Sequence, residues 1–94
     1  MSGRFDAAYY EDLRGRVRGV LIATAGLFPA QQAGLVDELI DANESGLALE
    51  MLSEMLVEAK ADVDAQVVAQ IDRLVSEMGL AREVGERVRK LMPI

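Results

Sequence analysis

Apolar side chains recur at three- and four-residue steps along almost the whole chain, and no segment alternates with period two for long. That spacing gathers them on one face of a helix, so the chain must bury helical stripes rather than the faces of a sheet. No Asn-Gly or Asp-Gly pair offers a hairpin turn. The expectation is an all-α fold: a small bundle of about five helices with the third helix central, forming a single helical domain over residues 1–94. A chain of 94 residues supports only a modest core. Its 51% hydrophobic content is that of a folding chain.

The helix boundaries follow from capping chemistry. Asp6 has the character of an N-cap, with Phe5 and Tyr10 at the spacing of a hydrophobic staple. Tyr9, Leu13, Val17, Val20 and Leu21 form one stripe, and Gly26 is positioned to close that helix. Pro29 suits the first turn of a second helix, whose apolar face reads as Leu35, Val36, Leu39 and Ile40. Asn43-Glu44-Ser45-Gly46 reads as a turn in which Gly46 supplies backbone freedom. The third helix follows over about residues 46–60. Leu47, Ala48, Leu49, Met51, Leu52, Met55 and Leu56 cover most of its surface. Only Glu50, Ser53, Glu54 and Glu58 form a polar line, which is why this helix is expected at the centre.

Asp64 is the next N-cap, with Val63 and Val68 as its staple. Val67, Val68, Ile71, Leu74, Val75 and Met78 form the cleanest stripe in the chain, and Gly79 follows as a C-terminal cap. A short last helix over about residues 81–91 carries Val84, Val88 and Leu91, and Pro93 ends it. Met51, Met55 and Met78 lie within apolar stripes and read as core.

Composition then narrows function. The chain has no cysteine and no histidine, which excludes disulfides, thiolate zinc sites, His-ligated metals and every catalytic device that needs an imidazole. No tryptophan and few other aromatic residues leave little material for stacking on single-stranded nucleic acid. No enzyme activity and no cofactor are expected. Asp41-Ala42-Asn43-Glu44-Ser45-Gly46 matches the opening of an EF-hand loop, but position twelve is Leu52, where calcium needs a bidentate carboxylate. No metal is expected either. The longest uncharged stretch, residues 19–36, holds Pro29, two glutamines and three glycines and does not read as a membrane span. With no signal-peptide pattern at Met1-Ser2-Gly3-Arg4, the expected location is cytoplasmic.

Net charge is −6, and it is unevenly spread. Residues 1–18 carry four arginines against three acids, and residues 82–94 carry four basic residues against two acids. The stretch between them has eleven acids against Lys60 and Arg73, with no basic residue between Arg18 and Lys60. Such a surface disfavours direct nucleic-acid binding and suits a basic protein partner. Glu50, Glu54 and Glu58 share one helix face, and no Lys or Arg stands one turn from Glu50 or Glu54. Asp37, Asp41 and Glu44 on the preceding helix and turn extend the patch, and the candidate partner-binding residues are Asp41, Glu44, Glu50 and Glu54; a merely solvated face is the alternative. The arginines at the two ends read as partners for acids within the domain or across a homodimer.

One segment adds a resemblance. Leu39-Ile40-Asp41-Ala42-Asn43-Glu44-Ser45-Gly46-Leu47-Ala48-Leu49-Glu50-Met51-Leu52 resembles the helix-turn-helix signature of the MafI-like immunity proteins, small acidic proteins encoded beside bacterial polymorphic toxins. Leu39, Ile40, Asp41, Asn43, Glu44, Gly46, Ala48, Leu49 and Glu50 fit its pattern, while Ser45 stands where the family often has an aromatic residue. The resemblance implies an immunity protein that binds and neutralises a cognate toxin. A helical interaction or dimerisation module without a toxin is the other expectation.

Overall fold

A computed structural model describes residues 7–93. Among them are five α-helices and no strand: α1 (Ala7–Thr24), α2 (Ala30–Asp41), α3 (Ser45–Glu58), α4 (Ala65–Met78) and α5 (Arg82–Arg89). A single 3₁₀ turn, Ala25–Leu27, joins α1 to α2. The all-α bundle holds, and so does the central place of the third helix, since α3 packs against α1, α2, α4 and α5. Its Ala48, Leu49, Leu52 and Leu56 are fully buried. Around them close Leu13, Val17, Val20 and Leu21 of α1, Val36 and Ile40 of α2, Ile71 and Leu74 of α4, and Val88 of α5. The cap and staple expected at Asp6 and Phe5 lie outside the described residues.

Asp64 caps α4 as its position implies: Oδ1 accepts the Val67 N–H at 2.9 Å, and the staple residues Val63 and Val68 are both buried. Three helices end in the same way. After α4, Gly79 turns left-handed (φ 69°), and the Leu80 N–H reaches back to the Val75 carbonyl at 2.9 Å. After α2 the left-handed residue is Asn43 (φ 64°), with Glu44 N–H to Leu39 O at 2.8 Å. After α3 it is Lys60 (φ 51°), with Ala61 N–H to Leu56 O at 3.2 Å. The turn before α3 therefore works differently from expectation. Asn43 makes the bend and Gly46 is helical; lacking a side chain, Gly46 leaves room for Leu80, whose Cδ2 lies 3.3 Å from where a Cβ would stand.

Four other expectations are corrected. Gly26 lies in the 3₁₀ turn, and α1 ends instead at Thr24, a buried residue whose Oγ1 donates to the Val20 carbonyl at 2.8 Å. Leu35 is 48% exposed because its helical neighbours, Gln31 and Glu38, lie on the outer side of α2. Leu47 is 49% exposed for the same reason: three, four and seven residues on, it shares a face with Glu50, Met51 and Glu54. Ser53, placed by its polarity on the outer line, is only 3% exposed. It stands one turn from both Leu49 and Leu56, and those leucines carry it inward.

Candidate partner-binding site

The expected acidic patch divides in two. Asp41, at the end of α2, accepts from Arg18 Nη2 at 2.6 Å, and Asp37, one turn earlier, accepts from Arg18 Nε at 3.1 Å. These two bonds, with Asp37 the stronger influence, raise the Arg18 guanidinium above its ordinary value. A single side chain of α1 thus offsets the charge at the end of α2. Glu44 is exposed in the turn, where its main chain closes α2 and its carbonyl accepts the Ala48 N–H at 2.8 Å. The structure brings neither Asp41 nor Glu44 together with the acids of α3.

Glu50 and Glu54 do come together. They face a cleft of about 330 Å³ between α3 and α5. Leu47 and Met51 of α3 and Val84 of α5 supply its apolar wall, and Arg87 of α5 is its one cation. Among the described residues, neither Glu50 nor Glu54 takes part in an ion pair or side-chain hydrogen bond, and neither does Arg87. The fifth lining residue from α3 is Ser53. Its Oγ is buried and has no hydrogen-bond partner. A buried hydroxyl without a partner costs about 1–3 kcal/mol.

The arginines at the two ends of the chain bind mostly inside the molecule. Arg16 pairs with Asp12 at 3.0 Å and in bidentate fashion with Glu77 of α4. Hydrogen bonding from Arg16, its charge, and the charge of Arg73 hold the Glu77 carboxyl below its ordinary value. Arg14 donates to Asn43 Oδ1 at 3.0 Å, tying α1 to the left-handed turn. Arg89 bonds Asp72 at 2.5 Å across α4 and α5. At that crossing α5 presents Gly85, where a Cβ would collide with the Asp72 carboxylate.

Sequence reasoning missed Ser53, Val84 and Arg87 as parts of one site with Glu50 and Glu54. The cleft is a product of how α5 lies on α3, and no spacing within either helix announces it. Among the described residues no group of three or more acidic side chains stands close enough to hold a metal ion, and no helix is long and apolar enough to cross a membrane. No family model matches the chain, and comparison with curated proteins and with solved structures gave no match.

Proposed function

We propose that this chain is a stoichiometric binding protein of the immunity type, which blocks a basic toxin by covering it with the acidic α3 face. The observation that carries the reading is the state of Glu50 and Glu54. They line an open cleft with a half-exposed leucine beside them, and among the described residues no cation neutralises them, whereas Asp37 and Asp41 are held by Arg18. Two like charges one turn apart on a helix cost a few tenths of a kcal/mol, which a bound cationic surface would reverse. Charge complementarity would steer the encounter, and burial of Leu47, Met51 and Val84 would slow release. The toxin itself comes from the resemblance of residues 39–52, and the acidic cleft supports the wider class of inhibitor.

The test is binding and inhibition against the protein encoded beside this one. A 1:1 complex is expected, with an association rate that falls steeply as salt rises. The E50Q/E54Q variant should keep its fold and associate more slowly, with a flatter salt dependence. An unchanged rate and salt slope in that variant would move the interface off α3, and failure to bind at all would leave the dimerisation module as the surviving function.

A further inference from the structure

We infer that the α3/α5 face docks a second copy of this chain, as a two-fold dimer in which Arg87 of each copy meets Glu50 and Glu54 of the other. The face carries charge of both signs. Glu50 and Glu54 stand on its α3 wall and Arg87 on its α5 wall, and among the described residues none of the three is in an ion pair. Opposite charges held on the two walls of one cleft are complementary to themselves under a two-fold rotation, the symmetry of an isologous dimer. With the axis running along the cleft, the rotation exchanges the walls and keeps each residue at its height. α3 of each copy then lies over α5 of the other, and each Arg87 comes level with the other copy's two glutamates.

The apolar part of the face fits the same operation. Leu47 is 49% exposed, and Met51 and Val84 are half-buried. The rotation sets Leu47 and Met51 of one copy against Val84 of the other, so the cleft closes over apolar surface between the charge pairs. The charges also select the occupant. An acidic partner is repelled by both glutamates, and a wholly basic one is opposed by Arg87, whereas a second copy answers all three residues. The dimer does not depend on the inhibitory reading. It adds a regulatory consequence to it, because a copy and a toxin seated on one face exclude each other.

The experiment is sedimentation velocity on the full chain at low salt, across a concentration series, with charge-reversed variants. Wild type should dimerise with Kd on the order of 100 μM, as suits a small and partly polar contact, and more weakly as salt rises. R87E sets glutamate against glutamate, and E50K/E54K sets lysine against arginine. Each should weaken its own dimer about tenfold or more. An equimolar mixture of the two should recover dimer, because both crossings then pair opposite charges. Circular dichroism checks that each variant is folded, and R87Q, which should weaken the dimer about threefold, serves if a reversed variant is not. Wild type that stays monomeric at about 1 mM, variants that dimerise as well as wild type, or a mixture without recovery would each overturn the inference. An R87E protein that has lost the dimer and still binds the neighbouring gene product supports both readings. Recovery in the mixture together with a wild type that binds no gene product leaves the dimer standing and overturns the immunity reading.

Discussion

Ser53→Ala should make the protein more stable. Ser53 is 3% exposed in the middle of α3, and its hydroxyl has no partner, not even the carbonyl one turn back that a helical serine commonly uses. Burying an unpaired hydroxyl costs about 1–3 kcal/mol, and the variant removes that cost. Alanine adds a few tenths of a kcal/mol of helix propensity. Against this stands the gap left by one oxygen atom, which costs less than about 1 kcal/mol at a site lined by flexible side chains. A net gain of about 1 kcal/mol remains, equal to roughly 4–8 °C in Tm for a domain of this size. In urea it should appear as a midpoint raised by about 0.5–1 M with an unchanged slope. If Ser53→Ala loses stability, the hydroxyl has a partner in solution and the reasoning from an unpaired hydroxyl falls.

Leu49→Ala should cost about 2–5 kcal/mol in chemical denaturation, since Leu49 is fully buried on the helix that touches all the others; near-wild-type stability would make α3 peripheral. Lys60→Gly should raise stability by about 0.5–1 kcal/mol in the same assay, because Lys60 is exposed and held left-handed at φ 51°, where a side chain is strained. Glu77 has a folded pKa below its ordinary value of 4.5 because Arg16 bonds it, so its contribution is complete above that value and disappears as pH falls through the lowered one. Urea midpoints of wild type and Glu77→Gln should therefore differ at neutral pH and converge as pH falls through the lowered value; a constant gap would mean that the ion pair is not what separates them.

The fold was largely legible because its information is local. Periodicity placed Val17, Ile71 and Val88 in the core, and Asp64 and Gly79 declared the two ends of α4 through chemistry within a few residues of each helix end. Where reading failed, a tertiary contact overrode a residue's type. Asn43 took the left-handed bend credited to Gly46, and Arg14 reached across to its side chain; Gly46 was needed for the approach of Leu80, which is 34 positions away. Lys60 ends α3 in a conformation that nothing in a lysine advertises. Ser53 went inward because Leu49 and Leu56 bracket it, and Leu47 outward because glutamates do. The acidic line was half legible: spacing put Glu50 and Glu54 on one face, but the partner of Asp41 lay 23 positions away, beyond any helical rule.

That division of the acids follows from where cations are in the sequence. With no basic residue between Arg18 and Lys60, the acids of α2 and α3 can be neutralised only from other helices. Arg18 lies on the part of α1 that packs beside α2, so Asp37 and Asp41 are served; beside Glu50 and Glu54 the cleft brings Arg87 of α5, which lines it without closing on either glutamate. A solvated face needs no such arrangement: a lysine one turn from Glu50 would stabilise α3 by a few tenths of a kcal/mol and keep the domain soluble. The chain instead keeps Glu50 and Glu54 without an ion-pair partner among the described residues, beside an exposed leucine. The crowded like charges cost stability in the free protein, and on the binding reading proposed above a cationic partner surface would relieve that cost, neutralising the carboxylates and covering the leucine.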